Sequence, residues 1–152
     1  MPHARDDPLD IALRALARRD RTTHELGEQL SQRGVSPAER AETLRTLARL
    51  GYLDDARFAN DRAASLAARG RGDAAIVVDL EQRGASREAI AAALDALPPE
   101  RERVRALVAQ LPGEPAKAAR SLARRGFGDE TIAAALDAMT KGEATVAKSL
   151  AE

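Results

Sequence analysis

The sequence predicts an all-α chain of three tandem three-helix repeats stacked into an elongated body. Three observations carry that expectation. The first is composition: 34 of the 152 residues are Ala and 18 are Leu, Arg and Glu are abundant, and aromatic residues make up 2%, a balance that favours helix over strand. The second is an internal repeat. Leu30–Arg33–Gly34–Val35–Ser36–Arg40–Leu44–Leu47 aligns without gaps to Leu80–Arg83–Gly84–Ala85–Ser86–Ile90–Leu94–Leu97 and to Leu122–Arg125–Gly126–Phe127–Gly128–Ile132–Leu136–Met139, and Ile-Ala-Ala-Ala-Leu-Asp-Ala occurs at both 90–96 and 132–138. The third is punctuation. Each repeat places Gly where a helix C-terminus needs left-handed backbone, then an N-cap residue two positions later.

The elements follow in order. Residues 1–7 read as a flexible N-terminus. The first repeat, 8–53, opens with a helix over about 8–20 behind Asp7-Pro8, with Leu9, Ala12, Leu13, Leu16 and Ala17 on one face. Thr22-Thr23-His24-Glu25 reads as a capping box for a second helix ending at Leu26 and Leu30, and Ser36-Pro37-Ala38-Glu39 as a capping box with Pro at the first helical position of a third. The second repeat, 54–97, starts with a helix over about 54–69 capped by Asp54, with Phe58, Ala59 and Leu66 as core; Ile76 and Leu80 end the next helix. The third repeat, 98–139, starts with a helix over about 99–111 behind Pro98-Pro99, with Val104, Leu107, Val108 and Leu111 inside, and continues through Ala118 and Leu122 to the third Gly turn, where Gly128 stands as a weaker N-cap. Residues 140–152 read as a frayed C-terminal tail with a last helical turn around Val146–Leu150. Units this small and this rich in Ala have thin cores, so neighbours are expected to stabilise one another as in a short solenoid, whose default use is binding.

The same composition excludes several functions. With no Cys there is no disulfide scaffold, thiolate metal site or Cys nucleophile. No apolar run reaches 18 residues, and Arg5, Asp6, Asp7 and Asp10 occupy the place of a signal-peptide core, so a cytoplasmic, membrane-free protein is expected. His3 and His24 are far apart, so no metal is expected; no Gly-rich phosphate loop follows a strand pattern, and no Ser has a His partner. Arg69-Gly70-Arg71-Gly72 lacks the strand and the Lys such a loop needs. The chain is therefore read as a binding protein, not an enzyme, with no cofactor.

What remains is arginine: 21 Arg against three Lys, at a formal net charge of zero. Arg14 and Arg18 lie one turn apart on the first helix. Arg62 and Arg69 share a face of the fourth, followed by Arg71. Arg101 and Arg105 lie one turn apart on the seventh, beside Arg103. Arg120, Arg124 and Arg125 cluster before Gly126. Many have acids near enough for i,i+4 pairing, such as Asp10–Arg14. Residues 101–125 hold seven bases against two acids, a balance suited to phosphates or an acidic protein surface. Aromatic platforms for stacking on bases are nearly absent, which argues against independent single-strand binding.

Gly51-Tyr52-Leu53-Asp54-Asp55-Ala56-Arg57-Phe58-Ala59 resembles the GYLDD-x-RFA signature of the RecX regulators of RecA recombinase. Ala12–Thr22, Glu25–Leu30 with Arg33-Gly34, and Leu122–Phe127 resemble further segments of that family in the right order, so the likeness covers about 9–139. The resemblance implies a curved stack of three three-helix units, a monomer that lies in the groove of the RecA filament on single-stranded DNA and lowers strand exchange, ATP hydrolysis and LexA cleavage. Within the motif, Gly51 is expected to end a helix, Tyr52 and Leu53 to pack, Asp54 and Asp55 to cap, and Phe58 to anchor the next unit. The partner-binding candidates are Arg14, Arg18, Arg62, Arg69, Arg71, Arg101, Arg105, Arg120, Arg124 and Arg125. The sequence departs from the family at Asp73–Leu80, a segment usually basic there and here without Arg or Lys, which points to contact with RecA itself more than with DNA. Two alternatives stand beside this one: a winged helix-turn-helix DNA-binding regulator, with Pro37–Arg49 as recognition helix, and a generic helical-repeat interaction scaffold.

Overall fold

Nine helices and no strand occupy the described residues, 6–111 and 113–151, of the computed structural model. They are α1 (Pro8–Arg18), α2 (Thr23–Gln32), α3 (Pro37–Arg49), α4 (Asp55–Ala68), α5 (Asp73–Gln82), α6 (Arg87–Asp95), α7 (Glu100–Val108), α8 (Pro115–Arg124) and α9 (Asp129–Leu150).

Three separate apolar clusters hold the helices in threes. Ile11, Ala12, Ala15, Leu26, Leu30, Val35, Leu47 and Leu53 join α1–α3. Phe58, Ala59, Ala63, Leu66, Ile76, Leu80, Ile90 and Ala93 join α4–α6. Val104, Val108, Leu122, Phe127, Ile132 and Ala135 join α7–α9. The chain exposes 10182 Å², whereas a compact monomer of this mass would expose about 7,500 Å². The excess is what thin units arranged in an elongated stack produce.

The Gly turns form because each helix leaves its last carbonyls without partners. Gly34, Gly84 and Gly126 adopt φ of 79°, 78° and 92°. That geometry lets the next residue turn inward: Val35, Ala85 and Phe127 donate their N–H groups to the carbonyls of Leu30, Leu80 and Leu122 at 3.1, 3.0 and 3.2 Å. The side chains that follow Gly34 and Gly126, Val35 and Phe127, are thereby buried in their unit cores. Ser36 and Ser86 cap α3 and α6, and Ser36 forms the full capping box with Glu39.

Several expectations need correction. α1 stops at Arg18, Ala17 is exposed, and Ile11 and Ala15 take its place inside. Thr22 accepts from the Glu25 N–H, but the Glu25 side chain turns away to Arg19, so the α2 box is half formed. Tyr52 is 56% exposed while Leu53 alone packs. The β-branched run Ile76-Val77-Val78 stays helical because Ile76 is fully buried and Val77 packs on the cluster. The tail is not frayed: α9 continues through Gly142 to Leu150 with every described residue from 140 exposed. Asp10–Arg14 is absent from the ion pairs among the described residues. His3 lies outside the described residues.

Candidate interaction grooves at the two seams

The units are joined by a bonding pattern that occurs twice. At the first seam the Thr22 hydroxyl, at the N-cap of α2, donates to the Arg83 carbonyl at the C-cap of α5. At the second seam the Gly72 N–H, at the N-cap of α5, donates to the Arg125 carbonyl at the C-cap of α8, at 2.8 Å. An acid completes each seam. Asp55, the first residue of α4, accepts the Thr23 N–H at 2.8 Å. Glu100, the first residue of α7, accepts the Asp73 N–H at 2.8 Å and reaches the Gly128 N–H at 3.4 Å with its other oxygen. α5 and α9 have Gly at their N-caps and no cap bond of their own, so the Glu100 carboxylate serves both helix ends. Asp55 of the GYLDD segment is thus a cross-unit cap, while Asp54 caps its own helix through the Arg57 N–H.

Each seam leaves a groove, and the two grooves are built from equivalent positions. The first, of about 670 Å³, is lined by Arg19, Arg21, His24, Glu25, Glu28, Gln29, Gln32 and Arg33, with Gln82 opposite. The second, of about 900 Å³, is lined by Arg69, Arg71, Ala74, Ala75, Val78, Asp79 and Gln82, with Arg62 and Leu66 beside them and Arg124, Arg125 and Gly126 opposite. Arg19, Arg21, Gln29 and Gln32 stand fifty positions before Arg69, Arg71, Asp79 and Gln82; His24, Glu25 and Glu28 are replaced by Ala74, Ala75 and Val78. Gln82 lines both grooves.

Their electrostatics differ. In the first groove Glu25 takes Arg19 at 2.6 Å and lies 3.7 Å from Arg83. Burial and the neighbouring Arg19 hold the Arg21 guanidinium below its usual pKa while it donates to the Ala15 carbonyl. In the second groove Asp79 receives a bidentate pair from Arg62, at 2.8 and 2.9 Å, and a third bond from Arg83 at 3.1 Å. The hydrogen bonds from Arg62, followed by the charges of Arg62 and Arg83, hold the Asp79 carboxyl below its usual range. That single acid is therefore committed, and no described carboxylate lies within ion-pair distance of Arg69, Arg71, Arg124 or Arg125. Four uncompensated guanidinium groups converge on one groove whose floor is apolar, with Val78 51% exposed.

Of the ten sequence-predicted arginines, Arg62, Arg69, Arg71, Arg124 and Arg125 meet here. Arg14 and Arg18 are exposed on α1, and Arg101 and Arg105 on α7, away from the groove. Arg120 lines a separate cleft between α8 and α9 with Ala123, Ile132 and Leu136. Arg103, inside the basic run, is structural: it donates to the Pro98 and Arg71 carbonyls and pairs with Asp73. The first groove was missed, although the fifty-residue offset of Arg19 and Arg21 to Arg69 and Arg71 carried its signal. Among the described residues no group of three His, Asp or Glu could hold a metal, and no helix is long and apolar enough to cross a membrane.

A family model for the first three-helix domain of RecX matches residues 9–54, and one for the second three-helix domain matches 54–94. The protein named Regulatory protein RecX of Halorhodospira halophila is 43% identical over 77 residues, 51% of this chain and 48% of that one. Its namesake from Acidithiobacillus ferrooxidans is 37% identical over 84 residues, 55% and 56% of the two chains, and that of Chromohalobacter salexigens 42% over 79 residues, 52% of each. The chain thus spans about half the length of the curated relatives it matches. In fold it is similar to the crystal structure of RecX from Lactobacillus salivarius, with a TM-score of 0.80, 18% identity and coverage of 90% of this chain and 96% of that one. A second RecX crystal structure gives a TM-score of 0.72 at 19% identity, over 88% and 71%.

Proposed function

The chain belongs to the RecX family, and from that membership we propose that it modulates RecA recombinase by binding the RecA filament on single-stranded DNA, lowering ATP hydrolysis, strand exchange and LexA cleavage. In that role it acts in DNA repair, recombination and the SOS response. The observation that carries the reading is the match to two successive RecX domains across both sides of the first seam, 9–94. The grooves are consistent with it. An elongated stack with two grooves of different chemistry can engage neighbouring protomers of a filament through several weak patches, gaining avidity from their number. Zero net charge favours a protein surface on DNA over bare DNA as the main partner.

A titration of RecA ATPase on single-stranded DNA tests this. Inhibition at well below one copy per RecA is expected. Unchanged ATPase and LexA cleavage, with a sequence-dependent shift of a duplex, would favour the winged-helix alternative instead. That alternative lacks a wing: the chain after Leu53 enters α4, and the described residues contain no strand.

A further inference from the structure

The two grooves are one architecture with two linings, and the difference between them identifies what the second one takes. We infer that the second groove is a socket for a short acidic segment of a partner protein that carries an apolar side chain among its carboxylates. The inference rests on the RecA reading only for which protein carries the segment.

Three features point to that occupant. The floor is apolar where the first groove is polar: Ala75 and Val78 stand at the positions of Glu25 and Glu28. An exposed Val between guanidinium walls is suited to an aliphatic side chain flanked by acids. The walls are Arg69 and Arg71 from the α4–α5 loop and Arg124 and Arg125 from the end of α8. These arrive from both sides, and Arg matches planar carboxylates bidentately. The third feature separates protein from nucleic acid. A single strand would need stacking surfaces as well as positive charge, yet Tyr52, Phe58 and Phe127 are the only aromatics and none lines the groove. The floor is also rigid, because the Gly72 and Ala74 N–H groups are bonded to the Arg125 and Gly126 carbonyls. A segment docking here meets a preformed cleft.

The first groove is the built-in control. It has the same backbone frame, but Glu25 and Glu28 sit where an incoming carboxylate would go. The experiment is an amide NMR titration of the full chain with three probes: an amphipathic helical peptide of Leu and Glu, the same peptide with Lys for Glu, and an oligothymidylate of equal charge to the first. The Leu–Glu peptide is expected to shift the Ala74, Ala75 and Val78 amides saturably and to leave His24 and Glu28 in place. Arg69→Glu with Arg124→Glu should weaken that binding about tenfold or more; both side chains are exposed and outside the ion pairs. Val78→Glu should do the same from the floor. Equal response to the Lys peptide, preferential occupation by the oligonucleotide, equal shifts in both grooves, or no response would each overturn the socket. The RecA ATPase titration is read separately, so inhibition that persists without peptide binding sinks the socket and spares the RecA reading.

Discussion

The hydroxyl of Thr22 donates to the carbonyl of Arg83, 61 positions further along the chain, while accepting the Glu25 N–H. One fully buried side chain therefore caps a helix in one unit and fastens the turn of the next. Val fills the same volume without either bond, leaving a buried carbonyl and amide without partners. Thr22→Val is expected to cost about 2 kcal/mol, read as a lower urea midpoint at unchanged slope.

The glycines of the three equivalent turns should respond unequally to Ala. All three carry positive φ, so each pays backbone strain of about 1 kcal/mol. A Cβ on Gly34 meets nothing within 4 Å, whereas one on Gly126 would sit 2.6 Å from the Cβ and N of Ala75, and one on Gly84 would collide with His24. Gly34→Ala should therefore lower stability modestly. Gly84→Ala and Gly126→Ala should cost more and speed hydrogen exchange at the α2 and α5 N-terminal amides.

Glu100→Gln keeps one acceptor oxygen, for the Asp73 N–H, but removes the charge between the α5 and α9 N-termini and turns its amide NH2 toward the Gly128 N–H. Loss of about 0.5–1 kcal/mol is expected, and Glu100→Ala, which removes the acceptors as well, should cost more. Thermal melts of the two variants, compared at low and high salt, separate the charge from the hydrogen bonds.

Asp79 makes stability pH-dependent in a defined direction. Its carboxyl is held below the usual range, first by the hydrogen bonds from Arg62. The folded state thus favours the ionised form more than the unfolded state does. That contribution is fully present above the unfolded value near about 3.9 and is lost as pH falls through the folded one. The stability gap between the native chain and Asp79→Asn should be constant near neutrality and narrow in acid, as urea titrations from pH 7 downward would show.

Changing Arg124 and Arg125 together to Ala should weaken RecA inhibition without unfolding the protein. The Arg125 carbonyl that fastens the seam belongs to the backbone and survives the change, so the circular dichroism spectrum and midpoint should hold while the ATPase inhibition constant rises. Normal inhibition by this variant would remove both side chains from the interface.

Most of the helical frame was legible because its signals are local. Gly34, Gly84 and Gly126 and the caps Asp7, Ser36, Asp54 and Ser86 each act within a few residues, and they lie where periodicity placed them. What escaped depends on partners distant in sequence. Asp55 and Glu100 look like first-turn acids of their own helices until the structure sets them against Thr23 and Asp73. Arg103 looks like its neighbours Arg101 and Arg105, yet the second unit consumes its donors. Tyr52 is exposed because the turn at Gly51 directs only Leu53 inward. The tail is helical where its composition predicts fraying, because Gly142, among exposed residues with good helix formers on both sides, costs only about 1 kcal/mol, too little to stop a helix already nucleated.

The seam also gives the chain a grammatical direction. Each joint has a socket, at the head of a unit's middle helix, and a plug, the Arg-Gly turn of the unit that follows. Two plugs are seated, at Arg83-Gly84 and Arg125-Gly126. The corresponding turn of the first unit, Arg33-Gly34, receives no such bond among the described residues, and the equivalent N-cap of α8, Glu114, is exposed. The repeated joint ties each unit to the next by local bonds between helix ends, and not by closure of one shared core.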